Sequence, residues 1–276
     1  MKNRKIITIQ DVSCYGQCST TVALPILSAF GFETAILPTA ILSTHTSGFK
    51  NFTVHDLSDE LPKIINHWKN ENIKYDVLYS AYLGEVRHVD YVLKIKKELL
   101  NDKALFLCDP VMGDNGKLYP AFNMEYVDAI RKLASKSDII IPNLTEATFL
   151  AGMEYREDYG ESYILSILDK LTSLGIKKII LTGVSYDQNS IGIAIYDDGK
   201  YSYYKHRKIN KSFHGTGDIY TSVFLAAYLK NNDLYKSVKI AADYVVKCIE
   251  NTIDDPTHPY GVKYEPLLSK LAEENK

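Results

Sequence analysis

The sequence predicts an α/β protein with a doubly wound, mostly parallel central sheet. Short apolar runs alternate with longer amphipathic stretches along most of the chain. Most of the short runs are continuously apolar, which is typical of parallel strands covered by helices on both faces. No linker rich in Gly, Ser or Pro divides the chain, and no internal repeat is present. Residues 1–276 are therefore predicted to form a single domain.

Six strands are predicted first, each from a short apolar run bounded by polar or turn residues. They are Ile6–Gln10, Thr34–Leu37, Val77–Ser80, Leu105–Cys108, Asp138–Ile141 and Lys178–Leu181. Helices are predicted between these strands from apolar residues spaced three and four apart. They are Thr20–Phe30, Asp59–Lys69, Val86–Leu100, Met124–Ala134 and Ser162–Ser173. This alternation predicts successive strand–helix–strand units.

The pattern changes after Gly183, where the predicted strand Lys178–Leu181 is taken to end. The runs Ile191–Tyr196 and Tyr201–His206 flank a turn of sequence Asp-Asp-Gly-Lys, which predicts an antiparallel hairpin at a sheet edge. Two apolar helices, near Asp218–Lys230 and Leu234–Asn251, are predicted to close the fold.

Composition excludes several classes of partner. The 34 acidic and 32 basic side chains leave a net charge of -2, so no general charge surplus favours nucleic acid or an anionic membrane. The apolar run Ile6–Ile9 is too short for a signal sequence, and no stretch approaches the ~18 apolar residues needed to span a bilayer. The four cysteines are scattered, which favours free thiols in a reducing compartment. We expect a cytoplasmic protein.

The segment Phe213–Asp218, with the sequence FHGTGD, leads directly into an apolar helix. Its small residues let backbone amides approach an anion, and the helix N-terminus adds a positive dipole. Asp218, in the first turn, can take the proton from an attacking hydroxyl as general base. Taken alone, the motif is more typical of an ordinary capped helix with an acidic first turn.

Three other strand ends carry polar side chains. Asp109 and Asp114 lie in the loop DPVMGD and suit Mg²⁺, although Asp, Pro and Gly are also common in simple turns. Asn143 and Glu146 lie three apart and can hold a metal-bound water or a phosphate from one helix face, or can merely cap that helix. Thr182 offers a hydroxyl to a nucleotide phosphate. In open α/β sheets such strand ends line the ligand crevice.

Together, these strand ends indicate a metal-dependent phosphotransferase. The motifs DPVMGD, PNLTE and GTGD, in this order, resemble those of the ribokinase-like superfamily, and more closely those of its vitamin B6 branch, the pyridoxal/pyridoxine/pyridoxamine kinases. The resemblance extends from Ile9 to the helix that ends near Asn251. It implies transfer of the γ-phosphoryl group of ATP to the 5′-hydroxymethyl of a B6 vitamer, with Mg²⁺. It also implies a homodimer and leaves the need for a monovalent cation open.

The resemblance assigns roles to matching positions. Asp218 would be the catalytic base. The anion hole would be formed by Gly215, Thr216 and Gly217. The groups that organise Mg²⁺ and the ATP phosphates would be Asp109, Asp114, Asn143 and Glu146, with Asp109 and Glu146 on the metal. Thr182 would contact the nucleotide.

On the vitamin side, the segment Ser43–Thr46 is similar to the Asn-His-Thr stretch of B6 kinases, with Thr44 in place of the Asn. The resemblance implies that Thr46 lies against the pyridine ring, beside His45. Tyr82 matches an aromatic residue of the same pocket.

A second departure lies at the end of the first strand, where Asp11 replaces a serine that many B6 kinases carry. A carboxylate at this position can pair with a pyridinium nitrogen or with the ammonium group of pyridoxamine. We therefore expect Asp11 to favour a cationic vitamer.

Two alternatives stay open. Hydroxymethylpyrimidine kinase also phosphorylates a hydroxymethyl group on a flat nitrogen ring. It often carries a histidine directly before its Gly-Thr-Gly motif, and His214 occupies that position in this chain. A non-catalytic vitamin or nucleotide sensor on a kinase scaffold is the alternative from another class, because fold alone does not establish activity.

Overall fold

The computed structural model describes residues 4–274. The strands of this part are β1 (Lys5–Ser13), β2 (Glu33–Leu42), β3 (Val54–Asp56), β4 (Tyr75–Ser80), β5 (Leu100–Cys108), β6 (Gly113–Asp114), β7 (Lys117–Leu118), β8 (Ile139–Ile140), β9 (Lys178–Asp187), β10 (Ser190–Asp197) and β11 (Lys200–Arg207). The predicted strands are confirmed, with longer bounds in the structure except for Asp138–Ile141, which is shortened to Ile139–Ile140.

The helices confirm all seven predicted ones and add two. They are α1 (Thr20–Ala29), α2 (Leu61–Asn70), α3 (Val86–Glu98), α4 (Met124–Ala134), α5 (Leu144–Ala151), α6 (Glu161–Ser173), α7 (Thr216–Asn231), α8 (Leu234–Glu250) and α9 (Leu268–Glu274). A 3₁₀ turn at Glu265–Leu267 precedes α9. Within residues 4–274, no helix combines the length and the apolar character that a bilayer crossing requires.

One sheet holds nine of these strands in the order β11-β10-β9-β8-β5-β4-β1-β2-β3. The strands from β9 to β2 in this order pair in parallel, whereas β10 and β11 form the predicted antiparallel hairpin at one edge. The fold is therefore α/β with a mostly parallel sheet. The strand order reverses at β1, and ligands bind beyond the carboxyl ends of parallel strands at such a reversal.

Two apolar layers cover the sheet. Alternate side chains of β1 enter opposite layers, with Ile7 and Ile9 on the side of α2 to α6, and Ile6 on the side of α1, α7 and α8. This alternation follows from the two-residue repeat of a strand. Both layers are fully buried at these positions, which explains the continuously apolar runs in the sequence.

The expectation that a strand ends at Gly183 is wrong. β9 continues to Asp187 because its second half pairs antiparallel with β10, with Val184 opposite Gly192 and Asp187 opposite Ser190. The parallel neighbour β8 pairs only with Lys178 and Ile179, whereas β10 pairs antiparallel along β9 from Lys178 to Asp187 and so carries the strand past Gly183.

Three short strands escaped prediction because each is too short to carry a period. β3 has three residues, all exposed, and pairs antiparallel with β2 at the other sheet edge. β6 and β7 have two residues each and form a separate hairpin. Its turn is Asn115-Gly116, with φ of +50° and +75°, the left-handed conformation that an Asn-Gly turn favours.

Candidate active site

The carboxyl ends of the parallel strands open into a cleft of about 890 Å³. The residues predicted for the catalytic, anion-hole, metal and ATP roles all line this cleft. They are Asp109, Asp114, Asn143, Glu146, Thr182, Gly215, Thr216, Gly217 and Asp218. They come from four separate loops, and the sheet topology brings them together. The convergence that the sequence predicted is therefore present in the structure.

The N-terminus of α7 faces this cleft. Gly215, its N-cap residue, has a φ of +77°, and a Cβ built there would lie 1.5 Å from the carbonyl oxygen of Gln17. Only glycine fits such a position. Gly217 differs, because a Cβ there would meet no protein atom within 4 Å. The space in front of Gly217 is thus open to a ligand, at the positive end of the helix dipole.

Asp218 lies in the first turn of α7. One of its carboxylate oxygens, Oδ2, accepts a hydrogen bond of 2.9 Å from the backbone N–H of Ser19. Burial, together with the smaller effect of the negative charge of Asp11, raises the pKa of Asp218 from 3.8 to about 6. A carboxyl group whose pKa lies near neutrality is suited to accepting a proton.

Asp109 follows β5 and is 7% exposed. Its Oδ2 accepts a hydrogen bond of 2.7 Å from the hydroxyl of Thr221, which lies three residues after Asp218 on α7. Burial raises the pKa of Asp109 from 3.8 to about 8, and the charge of Asp218 adds to this effect. The two carboxylates therefore influence each other across the cleft.

Asn143 and Glu146 form a reciprocal capping box at the start of α5. The Asn143 side chain accepts from the Glu146 N–H at 2.9 Å, and Glu146 Oε2 accepts from the Asn143 N–H at 2.9 Å. Glu146 Oε1 also accepts from the Met112 N–H at 3.1 Å. Burial, followed by the charge of Asp109, raises the pKa of Glu146 well above 4.5. The alternative prediction, that Asn143 and Glu146 cap this helix, is therefore confirmed. Both carboxylate oxygens of Glu146 accept hydrogen bonds from backbone N–H groups beside the cleft.

The carboxylates do not form a metal cage by themselves. In the part of the chain that the structure describes, no group of three or more His, Cys, Asp or Glu side chains is arranged to hold a metal ion. Asp109 and Glu146 are nevertheless two buried carboxylates on one cleft with raised pKa values. This donor set fits Mg²⁺, which takes one or two protein carboxylates and completes its shell with water and phosphate oxygens.

The remaining predicted nucleotide groups lie along the same cleft. Asp114 is exposed, and its carboxylate accepts hydrogen bonds from the backbone and side chain of Asn115. Thr182 donates its N–H to the Pro142 carbonyl at 2.9 Å and is followed by the exposed Gly183, where a side chain would meet no protein atom. Basic residues of the 206–211 segment also line the cleft.

The four residues predicted for the vitamin side are not among those that line this cleft. Asp11 lies in a bulge of β1, where the register with β2 shifts between Gln10 and Val12. It is 4% exposed, and its two oxygens accept hydrogen bonds from the hydroxyls of Ser19, at 2.5 Å, and Ser13, at 3.0 Å. Burial raises the pKa of Asp11 despite these bonds.

His45 is buried within a cluster of rings. Its Nε2 lies 2.9 Å from the Tyr260 carbonyl oxygen, whereas its Nδ1 is buried without a hydrogen-bond partner. The ring centroids of Phe49 and His214 lie 4.9 Å and 5.5 Å away. The neighbouring Thr46 is exposed. One imidazole nitrogen of His45 is therefore buried without a hydrogen-bond partner.

Tyr82 stands half-buried, with its ring centroid 5.5 Å from that of Phe122. Burial raises the pKa of its phenol, and the charge of Asp11 raises it further, so the two residues share an environment. The charge of Asp11 therefore links it to Tyr82, His45 and Asp218, although none of the predicted vitamin-side residues lines the large cleft.

Two residues of the site escaped sequence reasoning. Ser19 bonds both Asp11 and Asp218, and Thr221 bonds Asp109. Thr221 follows Asp218 by three residues on a predicted helix, so helical spacing could have indicated it. Ser19 carries no such signal, because its position before α1 is typical of any helix cap.

Comparison with known proteins identifies the family. Residues 26–261 match the phosphomethylpyrimidine kinase family. The chain belongs to this family. Among solved structures, this family member is similar to the pyridoxal kinase of Lactobacillus plantarum, with 30% identity, a TM-score of 0.90 and coverage of 99% of this chain and 98% of that one.

Two further relatives are similar over most of their length. A protein from Bacteroides thetaiotaomicron, described as a phosphomethylpyrimidine kinase and crystallised in an orthorhombic form with pyridoxal, is 33% identical, with a TM-score of 0.91 and coverage of 98% of this chain and 96% of that one. The pyridoxal kinase of Dictyostelium discoideum is 29% identical over 238 residues, 80% of this chain and 77% of that protein. The resemblance to the vitamin B6 branch of the ribokinase-like superfamily is confirmed, and the chain is a phosphotransferase acting on a hydroxyl group.

Proposed function

We propose that the protein transfers the γ-phosphoryl group of ATP to the 5′-hydroxymethyl group of a vitamin B6 vitamer. The observation that carries this proposal is the convergence of Asp218, the Gly215–Gly217 amides and the buried carboxylates on one cleft. The family, the pyridoxal kinases among the relatives and the pyridoxal in the Bacteroides structure support the choice of acceptor.

Asp218 is the proposed general base. Its pKa of about 6 leaves it largely ionised at neutral pH yet basic enough to accept the proton of an attacking hydroxymethyl group. Its place in the first turn of α7 sets it next to the amides that would hold the transferring phosphoryl group. Acceptor activation and phosphate stabilisation would thus occur within one helical turn.

The amides of Gly215, Thr216 and Gly217 are the proposed anion hole. They stand at the N-terminus of a 16-residue helix, where the backbone N–H groups lack partners and the dipole is positive. In phosphoryl transfer, positioning and charge stabilisation supply most of the rate. Because the backbone holds these amides rigidly, they need not reorganise during the reaction.

Asp109 and Glu146 would hold Mg²⁺, whose charge would neutralise the phosphate oxygens. Only one carboxylate oxygen of Asp109, Oδ2, accepts the hydrogen bond from Thr221, so the other oxygen could bind the ion directly. Both carboxylate oxygens of Glu146 accept hydrogen bonds from backbone amides. Glu146 would therefore contact the ion through a water molecule and would hold the loop at Met112 in place. Asp114, Asn143 and Thr182 would complete the ATP site.

The acceptor ring is proposed to lie between Tyr82 and the His45–Thr46 segment, close to Asp11. The unpartnered Nδ1 of His45 supports this position, because a buried polar atom without a partner is costly unless a ligand satisfies it. The charge of Asp11 reaches both Tyr82 and Asp218, so the acceptor pocket adjoins the base.

Hydroxymethylpyrimidine kinase is the second candidate, supported by the family's name and by His214 before the Gly-Thr-Gly segment. A coupled ADP-release assay with pyridoxal, pyridoxine, pyridoxamine and hydroxymethylpyrimidine distinguishes them. We expect the highest kcat/KM with a B6 vitamer. A preference for hydroxymethylpyrimidine would favour the second candidate, and binding without ADP release would favour the sensor alternative.

We further propose that the chain acts as one kinase domain, as a homodimer and in the cytoplasm. The single nine-stranded sheet supports one domain, and four free cysteines fit a reducing compartment. Sedimentation equilibrium tests the dimer, for which a mass of twice 31.2 kDa is expected.

A further inference from the structure

Ser19 has a backbone conformation that its residue type disfavours. Its φ is +51° and its ψ is -134°, in a region that residues with a Cβ rarely occupy. Ser19 also precedes α1, where serine ordinarily caps the helix with its hydroxyl, yet its side chain makes no such bond. Strained backbone of this kind persists only where the surroundings impose it, and it concentrates at functional sites.

The surroundings of Ser19 account for the strain. Its hydroxyl donates to Asp11 Oδ1 at 2.5 Å, and its backbone N–H donates to Asp218 Oδ2 at 2.9 Å. Its carbonyl oxygen accepts the first backbone hydrogen bonds of α1, from Val22 and Ala23. Ser19 therefore joins the end of β1, the start of α1 and the first turn of α7 at a single residue that is 6% exposed.

We propose that Ser19 is a positioning residue that orients the Asp218 carboxylate through its backbone N–H, with Asp11 holding Ser19 in the strained conformation that the orientation requires. This inference rests on the proposed function, because it concerns the base of the same reaction. The N–H fixes one carboxylate oxygen of Asp218 and leaves the other to face the acceptor hydroxyl. Asp11 would thereby help to orient the base through Ser19, in addition to its proposed position beside the acceptor ring.

Ser13 provides a matched control. Ser13 and Ser19 are both buried, and both donate a hydroxyl hydrogen bond to Asp11, but of these two serines only Ser19 also donates to the Asp218 carboxylate. The variants Ser13→Ala and Ser19→Ala each remove one hydroxyl from Asp11. If Ser19 acts by orienting Asp218, Ser19→Ala should lower kcat about ten- to a hundredfold with little change in the KM for ATP, and Ser13→Ala should lower it far less.

Ser19→Gly separates the backbone role from the hydroxyl. Glycine adopts a positive φ without strain, so its N–H can still reach Asp218 although the hydroxyl is gone. We expect Ser19→Gly to recover much of the kcat that Ser19→Ala loses. If the hydroxyl itself acted on a substrate, both variants would lose kcat equally, and that result would overturn the proposal. A kcat that follows the melting temperature across the three variants would overturn it as well.

A substrate-independent measurement keeps this inference separate from the proposed function. In ¹⁵N–¹H correlation spectra of the full chain, the residue 19 amide should shift when Asp218 is replaced by Asn, while the Ser13 amide should not. An unmoved residue 19 amide overturns the positioning role whatever the activity. A shifted amide in a protein that phosphorylates no B6 vitamer supports the contact and rejects only the proposed substrate.

Discussion

The part of the site proposed for the nucleotide lies in the cleft before α7, and the part proposed for the vitamin lies around Asp11, His45 and Tyr82. These two parts, here called the nucleotide half and the vitamin half, differ in how many of their polar groups are already hydrogen-bonded within the protein. In the nucleotide half, the α7 amides face an open cleft, and Gly217 has free space in front of it. In the vitamin half, Asp11 has both oxygens occupied by hydroxyls, and His45 is held by Tyr260. The first half is prepared to receive a ligand, whereas the second is largely closed upon itself.

This difference separates catalysis from stability. Where side chains face open space, a substitution changes ligand contacts and leaves internal packing intact. Where they bond one another, the same substitution also removes contacts of the folded state, and an unpaired buried polar group costs about 1–3 kcal/mol. We therefore expect variants at positions that face the open cleft, such as Gly217, to lose activity at little cost in stability. Variants at positions packed or bonded within the protein should change both.

Asp218→Asn should have the largest effect. The amide cannot accept the proton, so kcat should fall roughly 10²–10⁴-fold, the range for a lost acid–base group. ATP binding measured by calorimetry should be nearly unchanged, because the α7 amides and the cleft carboxylates remain. Turnover close to that of the unmodified protein would reject Asp218 as the base.

A pair of glycine variants on one helix tests the comparison most directly. Gly215→Ala places a methyl group against the Gln17 carbonyl at a φ of +77°. The backbone conformation alone should cost about 1–3 kcal/mol of unfolding free energy. Gly217→Ala meets no protein atom, so its stability should stay within about 1 kcal/mol.

The activity of Gly217→Ala should nevertheless fall. The added methyl group enters the space proposed for the phosphoryl group, and a displacement of about 1 Å can cost about 10²-fold in rate. Chemical denaturation and steady-state kinetics on both variants measure the two effects. If Gly217→Ala kept full activity, the open space before α7 would not be the phosphate site.

The pH dependence of stability tests the buried carboxylates. The folded-state pKa values of Asp109, about 8, and Asp218, about 6, both lie above 3.8. Between pH 4 and these values the folded state binds more protons than the unfolded state, so stability should fall as pH rises. For Asp109 the decline should extend from pH 4 to about 8, with a slope of at most about 1.4 kcal/mol per pH unit.

Asp109→Asn should remove much of this decline, which denaturation at pH 4, 6 and 8.5 without metal would measure. The variant should resemble the unmodified protein at pH 4 and exceed its stability at pH 8.5. Added Mg²⁺ should restore stability at pH 8.5 only when Asp109 is present, because the ion requires the ionised carboxylate. Equal pH profiles for the two proteins would contradict this account.

The same contrast explains what the sequence could predict. Asp109 and Asn143 follow the strands β5 and β8, and parallel strands all end at one edge, so the positions of these two residues followed from the strand prediction. The position of Asp218 followed from a predicted helix start. The extension of β9 beyond Gly183 was missed because it depends on pairing with β10. A glycine at the end of an apolar run indicates a strand end and gives no sign of such pairing.

The vitamin half depends on contacts between segments far apart in the chain. Ser19 meets Asp218 across 199 positions, and His45 meets Tyr260 across 215. No periodic pattern in the sequence predicts such contacts, and nothing in the sequence predicts that Ser19 has a φ of +51°. Resemblance to a family indicated which residues belong to this half, but the closed hydrogen bonding of Asp11 emerged only from the structure.

Asp11→Ser should have the smallest effect, because it concerns the choice among vitamers. Loss of the Ser19 bond should lower turnover with every vitamer, but this common loss cancels in a ratio. The ratio of kcat/KM for pyridoxamine over pyridoxal should fall about fivefold, the scale of an ion pair worth roughly 1 kcal/mol. An unchanged ratio with reduced turnover would mean that Asp11 serves the base through Ser19 and does not recognise the cationic group.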